Sequence, residues 1–144
     1  MNVGTVVVSG CIASNYAFPQ SCIEPPQGVA AWWPADGTAD DAVGTNNGVM
    51  QNGATFVPGL SDQAFSLDGI DDYVSVADVP ELNPTEAITV SVWVNRTAIV
   101  GFADPIVKKA GMVGGSQLLG YALEFSSSNP SDVIFWVYLD GLGW

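Results

Sequence analysis

The sequence contains no histidine and only three basic residues against fifteen acidic ones, which gives a net charge of −12. Without histidine, catalysis by an imidazole and metal binding by an imidazole are both excluded. A surface this acidic repels phosphate backbones, which argues against nucleic acid as a partner. Membrane insertion is not expected either, because no apolar run reaches the length that spans a bilayer.

Cysteine and helical periodicity are also scarce. The two cysteines, Cys11 and Cys22, are too few for a zinc site in a chain without histidine. They either form a disulfide in an exported protein or stay two unpaired thiols. No stretch of the chain shows the strong apolar period of an amphipathic helix.

The residues that are present favour short strands and tight turns. The 144 residues fit one domain, and 48% apolar against 12% charged residues is typical of a globular protein. Sixteen glycines and nine prolines separate stretches rich in valine and threonine. This composition predicts an all-β sandwich or barrel.

Alternation at period two predicts a hairpin around an acidic turn. Residues 65–67 and 73–76 alternate as half-buried strands do, and Asp68-Gly69-Ile70-Asp71-Asp72 joins them. Three carboxylates at one turn need solvent, backbone donors or a cation to coexist. The alternative to a cation there is a solvated hairpin tip.

Further alternating segments predict the remaining strands. They are residues 29–33, 48–50, 54–57, 63–67, 87–95, 104–109, 118–125 and 132–139, with 110–117 as a glycine-rich loop. In 87–95, four aliphatic residues share one face and Trp93 takes the other, so both faces are expected to be partly covered. The aromatic side chains of these segments are expected in the core rather than on a binding platform: Trp32, Trp33, Tyr73, Trp93, Tyr121 and Trp136.

Residues 35–48 form a predicted loop dense in Asp, Asn and Gly. Asp36 and Asp41 are five residues apart, and Asn46 follows five residues later. Oxygen ligands at such spacing on a glycine-bent loop can converge on one Ca²⁺, with backbone carbonyls completing the shell. No Glu closes an EF-hand pattern here. The alternative is an acidic surface loop that serves solubility.

Three segments together resemble the bacterial type of the laminin G-like jelly-roll family, within the concanavalin A-like lectin/glucanase superfamily. They read GVAAWWPADG (28–37), GTNNG (44–48) and QAFSLDGIDDYV (63–74), and ITVSVWV (88–94) fits the family's next strand. The resemblance runs from about residue 22 to about residue 125. It implies a two-sheet antiparallel jelly-roll sandwich, with residues 1–27 as a leader or linker and 28–144 as the N-terminal two-thirds of an incomplete domain.

The resemblance also implies a Ca²⁺ site. By position, Asp41 matches the main side-chain ligand, with Asp36 and Asn46 as further ligands. The acidic residue that would close the site belongs to later strands, which are expected beyond Trp144. Calcium is the only cofactor expected.

The function expected from this resemblance is non-catalytic recognition by an extracellular or cell-surface bacterial protein. The expected partner is a polysaccharide or a glycoprotein, through carbohydrate binding or adhesion, but no ligand-binding residue stands out. One alternative is a structural spacer in a large surface protein. Another is a fragment of a glycoside hydrolase, which needs two carboxylates on one face. The Glu-x-Asp-x-x-Glu pattern of the glucanase relatives is absent, so no catalytic residue is predicted.

Overall fold

The computed structural model describes residues 3–8, 25–96, 104–113, 117–126, 129 and 131–138. The chain forms two compact units, residues 1–93 and 94–144, and each is described by itself. The described residues contain strands and one short 3-10 turn, Pro80–Leu82, but no α-helix. The all-β prediction is therefore confirmed. Cys11 and Cys22 lie outside the described residues, so the disulfide stays a prediction.

The described residues contain ten strands, which are numbered here in chain order. They are β1 (Val3–Val8), β2 (Val29–Trp32), β3 (Gly48–Gln51), β4 (Thr55–Pro58), β5 (Gln63–Ser66), β6 (Tyr73–Val76), β7 (Ala87–Val92), β8 (Asp104–Val113), β9 (Gln117–Phe125) and β10 (Val133–Tyr138).

β1 lies at the centre of a three-stranded sheet and pairs in parallel with β2 and with β7. The segment that the sequence assigns to a leader thus contributes a strand, while the boundary near residue 27 stays a prediction. β7 alternates regularly, with Ile88, Val90 and Val92 half-buried and the residues between them exposed. The expectation that both faces of this strand are partly covered is wrong, because Ala87, Thr89 and Ser91 on the second face are exposed.

β3 to β6 form a two-armed antiparallel ribbon. β4 pairs with β5 next to the tip, and β3 pairs with β6 further along. The predicted hairpin between residues 65–67 and 73–76 is therefore wrong, because each of these strands pairs with another partner. Alternation identified the strands, but alternation alone does not identify which strands pair.

The turn of the ribbon lies at Gly59–Asp62 instead. The N–H of Gly59 donates to the carbonyl of Asp62 at 2.9 Å, and Asp62 has a φ of 53°. A Cβ at Gly59 would lie 2.7 Å from the carbonyl oxygen of Gln63, so the close approach of the arms requires glycine. Residues 67–72, which include the three carboxylates, oppose residues 52–54 as an irregular break within the ribbon.

The second unit contains the antiparallel sheet β8-β9-β10. β8 continues through Gly111 to Val113 and β9 begins at Gln117, so the predicted loop over 110–117 is wrong for residues 110–113 and for residue 117. Leucines at 118 and 119 pair with Met112 and Gly111 across that extension. At the centre of β9, the adjacent residues Tyr121 and Ala122 are both buried, so the two faces of this strand are covered there.

Candidate functional site

The loop between β2 and β3 is folded around the carboxylate of Asp41, which is 7% exposed. Its Oδ1 accepts the backbone N–H of Trp32 at 3.0 Å and that of Val43 at 3.1 Å. Its Oδ2 accepts the backbone N–H of Asn46 at 3.2 Å and the side-chain amide of Asn46 at 3.1 Å. A carboxylate offers about four acceptor positions. These donors therefore fill the acceptor capacity of Asp41.

The same contacts set the protonation state of Asp41. Burial by itself raises the pKa of this carboxyl, but the backbone N–H groups bonded to it lower the pKa by more, to below its ordinary value. Those N–H groups belong to Trp32, Val43, Asn46 and Gly44. Asp41 is therefore ionised at neutral pH, and the N–H donors bonded to it compensate its charge.

Asn46 ties the far side of this loop back to β2 and Trp33, and Asn47 closes the loop on Asp41. The side-chain amide of Asn46 also donates to the carbonyl of Ala30 at 3.4 Å, and the indole N–H of Trp33 donates to the backbone carbonyl of Asn46 at 2.8 Å. Asn47 Oδ1 accepts the backbone N–H of Asp41 at 3.0 Å. The loop is thus held from both ends by hydrogen bonds within its own unit.

Two of the three predicted calcium ligands meet, but their arrangement does not fit a calcium shell. Asn46 points its donor nitrogen at Asp41, whereas a Ca²⁺ ligand must present oxygen. Asp36 bonds elsewhere, with Oδ1 accepting the backbone N–H of Gln63 at 3.3 Å. An ion at Asp41 would have to displace N–H donors that already compensate the charge. Calcium binding stays a prediction, and it is tested below.

A pocket of about 280 Å³ lies between this loop and residues 77–81, which lead into the 3-10 turn and include its middle residue. Its polar wall includes Thr45, Asn46, Asn47 and Glu81. Its apolar wall is made of small side chains, namely Ala30, Ala77 and Val79. The pocket therefore combines one carboxylate, two amides and one hydroxyl with an apolar surface.

The acidic break in the ribbon is a separate feature. Asp68, Asp71 and Asp72 each place a carboxylate oxygen within 4.8 Å of the others. Asp68 Oδ1 accepts backbone N–H groups of the same segment, that of Ile70 at 2.8 Å, and these bonds lower the pKa of Asp68. Asp72 Oδ1 accepts the N–H of Gly53 at 2.6 Å, which joins the two arms. Backbone donors therefore bond to two of the three carboxylates, those of Asp68 and Asp72, and a cation at this turn stays a prediction.

One face of the β3–β6 pair presents an aromatic ring beside polar side chains. Gln51 lies opposite Tyr73, and Val49 lies opposite Ser75, so all four side chains share a face. Tyr73 is 51% exposed and Val49 is 57% exposed. The Gln51 amide donates to Ser75 Oγ at 3.1 Å, which fixes the amide beside the ring.

Several aromatic residues expected in the core are on the surface. Trp93 is 70% exposed and Trp136 is 45% exposed, and Tyr73 joins them. The indole N–H of Trp136 donates to Glu124 Oε1 at 2.7 Å. The core prediction is confirmed for Tyr121 and is wrong for these three. Tyr73 was misplaced because alternation separates two faces of a strand without telling which one is covered.

Comparison with known proteins adds no relative. The chain matches no protein-family model, no curated protein and no solved structure. Among the described residues, no helix has the length and apolar character needed to cross a membrane.

Proposed function

We propose that this chain is a non-catalytic recognition module of the laminin G-like, concanavalin A-like jelly-roll type, which acts at the cell surface or outside the cell by binding uncharged polysaccharide or the glycans of a glycoprotein. The all-β architecture with antiparallel pairs is compatible with such a sandwich. The loop over 35–48, which joins two of the segments that carry the family resemblance, is folded around Asp41. These features support the proposal at the level of fold.

The exposed ring of Tyr73 is the single observation that carries the binding function. A flat aromatic face packs against the C–H face of a pyranose ring, and amide or hydroxyl groups beside it bond to sugar hydroxyls. Tyr73 has Gln51 directly opposite on β3 and Ser75 two residues along β6. Val49 extends the apolar contact on the same face.

Charge narrows the class of glycan. With a net charge of −12 and three carboxylates in the segment that leads into β6, the surface near Tyr73 repels sulfated or uronic-acid polymers. An uncharged polysaccharide is not repelled by this surface. We therefore expect neutral glucans, mannans or galactans as ligands, and not acidic ones.

The electrostatics of the acidic cluster support recognition rather than hydrolysis. A glycoside hydrolase needs a general acid whose pKa is raised, so that it holds its proton near neutral pH. The pKa of Asp68 is lowered instead, chiefly by the N–H of Ile70. Glu124, in the other unit, accepts a hydrogen bond from Trp136. The lowered pKa of Asp68 favours an ionised carboxylate over a proton donor.

Affinity electrophoresis through gels that contain soluble polysaccharides tests this proposal. The chain is expected to be retarded by at least one neutral polymer and not by alginate. Tyr73→Ala is expected to abolish the retardation, and Tyr73→Phe to keep most of it, because the ring supplies the stacking surface. Trp93→Ala, which removes an exposed aromatic ring just after the end of β7, serves as the control. Equal retardation of wild type and Tyr73→Ala, or none with any neutral polymer, contradicts the proposal and favours a structural spacer.

A further inference from the structure

We infer that the pocket beside the Asp41 loop is a second carbohydrate contact, which takes one uncharged sugar residue at a chain end. This inference rests on the proposed carbohydrate function, but it concerns other residues than Tyr73. The pocket measures about 280 Å³. This is close to the lower limit of ligand pockets, about 300 Å³, and gives room for one ring rather than for a polymer.

Unused donors and acceptors line this pocket. Among the described residues, no group bonds to the carboxylate of Glu81 or to the hydroxyl of Thr45. The two amides are half used, because Asn46 donates through Nδ2 and Asn47 accepts through Oδ1. Asn46 Oδ1 and Asn47 Nδ2 therefore keep free bonding capacity within the described part of the chain. A mixture of free donors and acceptors suits hydroxyl groups, which both donate and accept.

The rest of the lining fits a sugar ring better than an ion. Ala30, Ala77 and Val79 offer a small apolar surface for the C–H groups of a pyranose. The lining holds no basic side chain and one carboxylate, so a phosphate or carboxylate ligand is repelled. An ammonium group only donates hydrogen bonds, so it would leave the Asn47 amide donor without a partner. The four mixed polar groups together therefore select an uncharged, hydroxyl-rich ligand.

The pocket wall is already formed before a ligand arrives. The bonds from Val43 and Asn46 to Asp41 fix the course of the chain through residues 43–46. A binding surface that is held in place loses little conformational entropy when a ligand binds. Asp41 is thus a positioning residue for this pocket, and it is not expected to touch the sugar.

A titration of the full ¹⁵N-labelled chain, followed by NMR, tests the inference. The probes are the methyl glycosides of glucose, galactose, mannose and N-acetylglucosamine, with glucuronic acid as the anionic contrast. At least one glycoside is expected to cause saturable shifts of the amides of residues 44–47 and 77–81. Glu81→Ala and Thr45→Val are each expected to weaken this binding about three- to tenfold, the effect of losing one hydrogen bond. Glu86→Ala, which removes an exposed carboxylate outside the pocket, is the matched control.

The outcomes separate this inference from the proposed function. Pocket shifts that persist in Tyr73→Ala support the pocket, whatever the polymer assay gives. Shifts confined to residues 49–51 and 73–75 support the proposed function and overturn the pocket. The pocket inference is also overturned if Glu81→Ala and Thr45→Val bind the glycoside with unchanged affinity. The absence of saturable shifts at the solubility limit of every glycoside rejects the pocket even if Tyr73-dependent retardation by polysaccharide is found.

Discussion

Asp41 and Trp32 lie nine residues apart, and the carboxylate of Asp41 accepts the backbone N–H of Trp32 at 3.0 Å. The carbonyl of Trp32 in turn accepts the N–H of Ala42 at 2.7 Å. The last residue of β2 is thus bonded on both its backbone groups to the loop that follows it. Because Asp41 also holds Val43 and Asn46, one side chain determines how the loop returns to β3.

Replacing Asp41 is expected to destabilise the fold strongly. Asp41→Asn keeps the shape but removes the charge and turns an N–H₂ group toward N–H donors. Charge-assisted hydrogen bonds contribute about 1.5–3 kcal/mol each, and buried unpaired donors add a cost. We expect the free energy of unfolding to fall by about 2–4 kcal/mol in urea titrations. Asp40→Asn, next to it and exposed, is expected to change it by less than about 0.5 kcal/mol. Equal effects of both variants would contradict the role of Asp41.

Acid should remove the contribution of Asp41 to the stability of the folded chain. The pKa of Asp41 in the folded chain lies below its ordinary value of 3.8, so the folded state binds this proton less readily than the unfolded state. The stabilisation is complete above the ordinary pKa and is lost as the pH falls through the lower, folded pKa. The difference in Tm between wild type and Asp41→Asn is therefore expected to be constant from about pH 7 to about pH 5 and to narrow below about pH 4. A Tm difference that widens in acid would mean that folding raises the pKa of Asp41 instead of lowering it.

Gly44 should be required by the same network. A Cβ at this position would lie 2.6 Å from Asp41 Oδ2, closer than real contacts allow, and that oxygen is held by two donors. Gly44→Ala is expected to destabilise by about 1–3 kcal/mol in urea titrations, as overpacking does. Because both changes act on one network, the double variant Asp41→Asn, Gly44→Ala should lose less than the sum of the single losses. If the losses of the two single variants simply add in the double variant, Gly44→Ala acts on contacts other than those of Asp41.

Asp72 should hold the two arms of the ribbon together at the acidic break. Its Oδ1 accepts the N–H of Gly53 at 2.6 Å and its Oδ2 accepts the N–H of Asp68 at 3.0 Å. Asp72→Ala is expected to speed hydrogen exchange at Gly53 about five- to tenfold, the equivalent of one hydrogen bond. Asp71→Ala removes the same charge but keeps the carbonyl that accepts the Asn52 amide, so exchange at Gly53 should stay unchanged. Equal acceleration in both variants would indicate an effect of charge alone.

The sequence predicted the strands more successfully than their pairing. Alternation in β7 identified the inward face of Ile88, Val90 and Val92, because apolar side chains on one face record burial directly. The ribbon could not be predicted in the same way. Its turn lies at Gly59–Asp62, while Asp68–Asp72 has an equally strong turn composition but forms a break, so local residue preferences favoured the wrong tip.

The candidate sites show a similar limit. Asp41 was identified from its loop of Asp, Asn and Gly, but a carboxylate that binds Ca²⁺ and one that binds backbone N–H groups have the same local sequence signal. The Tyr73 face was missed because its exposure depends on which sheet face is covered. The pocket requires Glu81 to meet residues more than thirty positions earlier, a contact that no spacing rule predicts.

Whether N–H donors alone hold the loop at Asp41 is tested most directly by thermal unfolding of the full chain with Ca²⁺ and with a chelator. A ligand that binds only the folded state raises the Tm by mass action. The filled acceptor positions of Asp41 predict the same Tm in both conditions and a lower Tm for Asp41→Asn, equally in both. A rise of Tm with Ca²⁺ in wild type that disappears in Asp41→Asn would contradict this account and establish the calcium site that the family resemblance implies.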